Sequence, residues 1–286
     1  MTFYSGLAAE HALITAVCEP GSHVVLPGDL YGGTYRLVDK VMARWGLEYD
    51  LVDQTDLTAV ECAVRDDTRL IWVETPTNPF LNVIDVEAVL ARRRGALVAV
   101  DNTFATPANQ RPLELGADFV VHSTTKYLGG HSDVVGGAVV TRSDEWYERL
   151  RFIQNAVGAV PGPFDCFLVH RGLRTLHLRM DARSAAAVAE FLRAAPGVAD
   201  VRSPGFSGMV SFRHPDAAAI ASRTRLFTLA ESLGGVESLI ELPQAMTHQS
   251  VEDSAAAVPP DLVRLSCGIE DPDDLVTDLK RALAAS

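Results

Sequence analysis

Cysteine is scarce in this sequence. Cys18, Cys62, Cys166 and Cys267 lie far apart, with no CxxC pair among them. That spacing argues against a disulfide framework and a cysteine-based zinc site, and it fits a reducing, cytoplasmic setting. Positive charge is also in deficit: the formal net charge is −12 and the pI about 5.1. No nucleic-acid footprint and no polybasic membrane patch are therefore expected, and the expected partners are small metabolites. No uncharged apolar stretch reaches membrane-spanning length. The N-terminus lacks a basic n-region and carries Glu10 and His11 early, so neither insertion nor export is expected. There is no internal repeat, no low-complexity tract and no HExxH motif. GxGxxG and GxxxxGK(S/T) are absent too, which argues against an ordinary nucleotide-binding domain.

Hydrophobic residues make up 48% of the 286, ample for a core in one large domain or two ordinary ones. Apolar runs at 23–26, 70–73, 96–100 and 119–121 alternate with helical patterns, which predicts βαβ units and a mostly parallel sheet. Such sheets bind ligands beyond the carboxyl ends of their strands. Glu74, Asp101 and Ser123 fall at or just after such ends, so three distant parts of the chain are expected to converge on one crevice. Further on, an Ala- and Leu-rich pattern from Arg171 to Ala195 predicts a helix. Turn residues at Pro196 and Gly197 and a strand at 209–212 follow. A terminal helix over 271–285 starts with Pro272, has Asp273 and Asp274 in its first turn and Lys280 and Arg281 late, as the helix dipole favours. The expected class is α/β: a large domain over 1–172 and a smaller α+β domain over 173–286.

The stretch 122–133, His-Ser-Thr-Thr-Lys-Tyr-Leu-Gly-Gly-His-Ser-Asp, sets Lys126 among hydroxyls and glycines just after a strand. A lysine presented this way suits Schiff-base chemistry, whereas an arbitrary loop lysine is a solvated charge. Ser123 and Thr125 flank it with hydroxyls suited to a phosphate. Ser5, Gly6 and Leu7 precede a helical pattern at 8–17, so the N–H groups of Gly6 and Leu7 can meet an anion at a helix N-terminus. Other positions carry one or two readings each. Asp101 is a ligand carboxylate or a turn cap, and Asn78, within Pro-Thr-Asn-Pro, is by itself a turn residue. Tyr31 by itself is a loop tyrosine packed for area, and Arg264 is a bidentate carboxylate grip or a surface ion pair. His122 and His131 have no metal-ligand spacing and read as structural.

These residues lie in segments that resemble the pyridoxal-phosphate enzymes of cysteine and methionine metabolism, the family of cystathionine γ-synthase, γ-lyase and β-lyase and of methionine γ-lyase. Besides the lysine stretch, the matching segments run in order. They are Tyr-Ser-Gly-Leu-Ala-Ala at 4–9, Asp-Leu-Tyr-Gly-Gly-Thr at 29–34, Glu-Thr-Pro-Thr-Asn-Pro at 74–79, Val-Asp-Asn-Thr-Phe-Ala at 100–105, Ala-Glu-Ser-Leu-Gly-Gly at 230–235 and Arg-Leu-Ser-Cys-Gly-Ile-Glu-Asp at 264–271. The resemblance implies a fold-type-I, aspartate-aminotransferase-like PLP-dependent transferase. It implies Lys126 as the lysine that bonds the cofactor aldehyde and shuttles protons, Asp101 at the pyridine nitrogen and Asn78 at the ring oxygen. Gly6, Leu7, Ser123 and Thr125 are implied at the phosphate, Tyr31 over the ring and near the leaving group, and Arg264 with Glu231 and Ser232 at the substrate. Met246, Thr247 and His248 match a family segment without an assigned role.

Glu231 resembles the enzymes that make or cleave cystathionine at its γ-carbon, and Gly33 stands where methionine γ-lyases carry a cysteine. The run at 157–165 resembles bacterial γ-synthases. The implied activity is γ-replacement of an activated homoserine by cysteine, with γ-lyase cleavage of cystathionine as the alternative and the sulfhydrylases as a further branch. The implied assembly is a homo-oligomer, a dimer of dimers. Two departures from the family are expected: an N-terminal arm missing before Met1, and a His-rich stretch omitted near 203–209. They sustain a reading of another class, a truncated, cofactor-poor paralogue that acts as an assembly partner.

Overall fold

A computed structural model describes residues 1–248 and 257–284. Seven strands form the first sheet: β1 (Thr2–Phe3), β2 (His23–Pro27), β3 (Glu48–Val52), β4 (Thr68–Glu74), β5 (Leu97–Asp101), β6 (Phe119–Ser123) and β7 (Gly137–Val140). Their order is β1-β7-β6-β5-β4-β2-β3, with β3, β2, β4, β5 and β6 parallel and β7 and β1 antiparallel at one edge. Every residue of β2 is buried, as expected of a parallel strand covered on both faces.

Side chains alternate across this sheet, and the alternation positions the site. On β4, Leu70 and Trp72 join the core beneath helix Gly6–Val17; on β5 Leu97 and Ala99 do so, and on β6 Phe119 and Val121. The next residue in each period-two series is Glu74, Asp101 or Ser123. The same face is thus apolar along the strands and polar where they end. The opposite face carries a second core of Ile71, Val73, Val98 and Val100. Helix Gly6–Val17 is buried along most of its length between the sheet and helix Asp144–Val157, and its alanines permit the close approach.

The second sheet holds β8 (Ala199–Arg202), β9 (Met209–Arg213), β10 (Thr228–Leu229), β11 (Leu239–Glu241) and β12 (Leu262–Ser266) in the order β10-β11-β12-β9-β8. It is antiparallel except for the β10–β11 pair. Helices Ala185–Ala194, Ala217–Arg223 and Pro272–Ala284 cover it around a core that includes Val188, Phe212, Ile240, Val263 and Leu279. Only the short segment 203–208 joins β8 to β9.

One sequence expectation is corrected. The single helix over 171–195 is three helices, Pro163–Leu173, Leu176–Asp181 and Ala185–Ala194. The second break, at 182–184, contains Arg183, which turns inward to hydrogen-bond the Gly234, Gly235 and Cys267 carbonyls, contacts that no local pattern encodes. The terminal helix spans Pro272–Ala284, and the expected last residue, Ala285, lies outside the described residues. Among the described residues no helix is long and apolar enough to cross a membrane.

Candidate active site

The strand ends, the start of helix Gly6–Val17, the lysine loop and the edge of the second sheet close around a cavity of about 270 Å³. Every site residue expected from the sequence lines it: Gly6, Leu7, Tyr31, Asn78, Asp101, Ser123, Thr125, Lys126, Glu231, Ser232 and Arg264. Glu10, Glu74, Thr103, Phe104 and Thr247 line it as well.

One end is built to receive an anion. Ser5 caps helix Gly6–Val17, its Oγ accepting from Ala8 N at 3.1 Å. The first-turn N–H groups of Gly6 and Leu7 therefore have no intrahelical partner, and the helix dipole adds positive potential there. A Cβ at Gly6 would lie 3.0 Å from the Ser123 Cβ, so glycine is what lets the helix start approach the end of β6. Ser123 N is fixed by Thr103 Oγ1 at 2.8 Å. The Thr125 hydroxyl donates to Gly136 O at 3.2 Å and accepts from Gly136 N at 3.0 Å, so it must turn to serve a phosphate.

Lys126 follows β6 in a tight loop whose carbonyl accepts from Gly130 N at 2.7 Å. Gly130 has φ +73°, and a Cβ there would meet the Arg179 guanidinium at 2.1 Å. Arg179 donates to Tyr127 O at 2.8 Å and Gly172 O at 2.7 Å, clamping the loop. Arg183 stacks 4.8 Å from the Tyr127 ring centroid while tying Gly234, Gly235 and Cys267 carbonyls together. The lysine is thereby held rigidly against the second sheet. Its Nζ donates to Ser232 Oγ at 2.8 Å. Burial, reinforced by the Arg264 charge and opposed by Glu241 and Glu231, lowers its pKa to about 8. Ser232 sits at φ +85°, a strained conformation for a non-glycine residue, and presents its hydroxyl to the lysine.

At the other end stand three carboxyls. Both Glu74 oxygens accept backbone donors, Tyr31 N at 2.9 Å and Asn78 N at 2.7 Å. Asp101 Oδ1 accepts from Thr103 N at 2.9 Å, and the half-buried group opens toward the cavity. Burial pushes the Glu74 and Asp101 pKa values up, and the Asp101 charge pushes Glu74 further. Glu10, buried on the helix, is raised to about 8 by burial and by Asp101.

Arg264 comes from the centre of the second sheet and is buried. It pairs with Glu241, its cross-strand neighbour on β11, and donates to Asn78 Oδ1 at 2.7 Å and Ser232 O at 3.0 Å, leaving Nε without a partner. Glu241 also accepts from Thr247 Oγ1. His248 Nε2 lies 3.2 Å from Asn78 O, and burial with the Arg264 charge lowers that imidazole to about 4, so it is neutral. Tyr31 projects over Gly33, where a Cβ would stand 2.3 Å from the phenol ring. Burial first, then Glu10, raises the Tyr31 pKa. Glu231 is exposed and lines the cavity at its outer side.

Sequence reasoning missed Glu241, Glu10, Arg179 and Arg183. Glu241 carried a faint signal as an acid at a strand end before Leu-Pro, and the others carried none. His131 Nδ1 lies 2.8 Å from Gly129 O, while the buried His122 Nδ1 has no partner and burial lowers that imidazole to about 4.

The residues fit the pyridoxal phosphate that the sequence implies. Free N–H groups and the Ser123 hydroxyl suit its phosphate, a carboxylate suits its ring nitrogen, and an amine of lowered pKa suits its aldehyde. The Arg264 guanidinium lines the same cavity and suits a substrate carboxylate.

Comparison with known proteins agrees. The sequence pattern of the Cys/Met metabolism PLP-dependent enzymes matches residues 1–284. The cystathionine gamma-synthase of Mycobacterium tuberculosis is 55% identical over 305 residues, taking in 98% of this chain and 79% of the relative. That alignment is longer than the 286-residue chain, so the relative carries residues within it that this chain lacks. The cystathionine beta-lyase of Lactococcus lactis subsp. cremoris is 48% identical over 307 residues, covering 98% of this chain and 80% of the relative. The crystal structure of metB from Corynebacterium glutamicum superposes with a TM-score of 0.97 at 49% identity, over 99% of this chain and 80% of that one. Sequence and fold together place the chain in the Cys/Met metabolism PLP-dependent enzyme family, the trans-sulfuration enzymes, whose cofactor is pyridoxal phosphate.

Proposed function

We propose that the chain is a trans-sulfuration enzyme of the cystathionine γ-synthase type, which replaces the γ-substituent of an activated homoserine with the sulfur of cysteine. The observation that carries the reading is one juxtaposition: Lys126 Nζ against Ser232 Oγ, with Arg264 and Glu231 lining the same cavity. The 55% identity to a cystathionine gamma-synthase supports it.

Bound pyridoxal phosphate supplies an aldehyde that condenses with amines and a ring that draws electrons from the α-carbon of an amino acid. In this reading Gly6 and Leu7 N–H and Ser123 Oγ hold its phosphate, with Thr125 after its hydroxyl turns. Asp101 would keep the ring nitrogen protonated, Asn78 would serve the ring oxygen, and Tyr31 would cover the ring. Lys126 Nζ, substantially neutral near its lowered pKa, takes and returns protons at the substrate α- and β-carbons. Ser232 Oγ steers that amine. Arg264, pinned by Glu241 and Asn78, orients the substrate α-carboxylate. Glu231, near the cavity's outer side, selects substrates with a distal ammonium such as cystathionine. Tyr31 assists departure of the γ-substituent.

The same groups serve cleavage of cystathionine to cysteine, 2-oxobutanoate and ammonia. Incubation of the loaded protein with an O-acylhomoserine and cysteine, and separately with cystathionine, tests the proposal. Cystathionine formation as the faster reaction supports it, and 2-oxobutanoate release as the faster reaction favours the γ-lyase reading. We further propose a homo-oligomer in a cytoplasmic setting, with the chain divided into domains at about residue 172. Exposed Phe152, Val157, Phe164 and Phe167 on two neighbouring helices support self-association, which sedimentation velocity measures.

A further inference from the structure

Glu10 lines the cavity, and none of the roles above uses it. It lies four residues after Gly6 on the same face of helix Gly6–Val17, one turn or roughly 6 Å further along. The side chain is 4% exposed, and its Oε2 has no hydrogen-bond partner. A carboxyl orphaned at that depth is costly unless it holds a proton or meets a ligand. The neighbouring Thr34 hydroxyl is buried beside it and lowers the Glu10 pKa, which offsets only part of the effect of burial.

The titratable and charged groups around Glu10 come from every side of the cavity. Asp101 ends β5 and Glu74 ends β4, Tyr31 precedes helix Gly32–Arg36, and Lys126 and Arg264 stand on the remaining walls. From β6 the cavity receives Ser123, which does not titrate in this range, while His122 lies on the opposite face of that strand. Glu10 is close enough to both Asp101 and Tyr31 for charge to matter: the Asp101 charge disfavours its ionisation, and its own charge raises the phenol.

We propose that Glu10 is a positioning residue for the ring end of the bound cofactor, acting through Asp101. As the neutral acid it leaves Asp101 as the anion for the ring nitrogen; on ionising it adds a second negative charge there and strengthens the ring nitrogen's hold on its proton. The step is an acid dissociation: the Glu10 O–H bond breaks, the electron pair stays on oxygen and the proton goes to solvent. In the cofactor-free protein, burial and the Asp101 charge keep Glu10 protonated up to about pH 8. A cationic ring favours the ionised form, so the loaded protein ionises Glu10 at or below that value.

The inference rests on the cofactor reading above, and the test separates the two. Wild-type, Glu10→Gln and Glu10→Asp proteins are loaded with pyridoxal phosphate labelled with a nitrogen isotope in the ring. Borohydride trapping at Lys126 reports loading, and nitrogen NMR follows the ring signal with pH. The wild-type signal is expected to step toward the fully protonated ring at or below about pH 8. Glu10→Gln, nearly isosteric and unable to ionise, is expected to lose the step while still trapping cofactor. Glu10→Asp, which retracts the charge without removing it, is expected to keep the step at a shifted pH. A loaded wild type without the step, or a step unmoved by either substitution, overturns the inference alone. Absence of trapping in the wild type overturns the cofactor reading and this inference with it.

Discussion

Glu74 and Asp101 stand opposite each other at the carboxyl ends of adjacent parallel strands, paired in register and facing the same side of the sheet. Adjacent strands are about 4.8 Å apart. Two carboxyls at that spacing, Glu74 buried and Asp101 half-buried, do not both ionise without a penalty. Their hydrogen bonds divide the work. Glu74 spends both oxygens on the Tyr31 and Asn78 backbone and so shapes the cavity wall, whereas Asp101 keeps an oxygen for a ligand.

Glu74→Ala is expected to orphan the Tyr31 and Asn78 N–H groups, at about 1–3 kcal/mol each. Urea unfolding of the cofactor-free protein measures the loss, and a midpoint within error of the wild type would show that water replaces the carboxylate.

Burial and the Asp101 charge raise the Glu10 pKa on folding from the ordinary glutamate value of 4.5 to about 8. Its favourable contribution is therefore complete below pH 4.5 and is lost as the pH rises through about 8. Across that window the wild type should lose stability relative to Glu10→Gln by up to about 1.4 kcal/mol per pH unit. Parallel stability curves for the two proteins would contradict the assignment.

In the proposed reading the neutral amine of Lys126 is the nucleophile. Capture of pyridoxal phosphate by cofactor-free protein should accelerate with pH through a midpoint near 8, where half of the amine is deprotonated, and level off above it. Stopped-flow absorbance gives the profile. Ser232→Ala should slow capture, because it removes the 2.8 Å contact that orients Nζ.

Arg264→Lys should raise KM for the amino-acid substrate by roughly 10- to 100-fold, since an ammonium cannot reproduce the planar contacts with Glu241, Asn78 and the substrate carboxylate. Arg264→Ala should also destabilise the fold by about 3–5 kcal/mol by leaving Glu241 buried without its partner.

Gly33→Cys puts a Cβ 2.3 Å from the present position of the Tyr31 ring, so the ring must move. At least a tenfold fall in turnover is expected, with cofactor retention close to normal. An unchanged rate would show that Tyr31 has no part in the chemistry.

Much of this site is legible in the sequence because it is built from strand ends. An apolar run with period-two alternation says where β4, β5 and β6 stop, and Glu74, Asp101 and Ser123 follow from that alone. Lys126 is legible because a short polar, glycine-containing loop after a buried strand has few other uses. The groups that fix these residues are not legible. Arg179 and Arg183 look like solvated charges in an alanine-rich helix, and only the folded chain brings them to Tyr127, 52 residues from Arg179, and to Cys267, 84 residues from Arg183. Glu241 becomes the Arg264 partner through strand pairing in the second sheet, and Glu10 looks like an ordinary polar residue of an amphipathic helix until that helix is seen buried along most of its length.

The measurement that tests the central claim most directly is borohydride reduction of the protein after incubation with pyridoxal phosphate, with the adduct located by peptide mass spectrometry. One adduct per chain at Lys126, absent from Lys126→Ala, is the predicted result. No adduct, or labelling spread over surface lysines and unchanged in Lys126→Ala, would contradict the cofactor site and favour a chain that acts as an assembly partner.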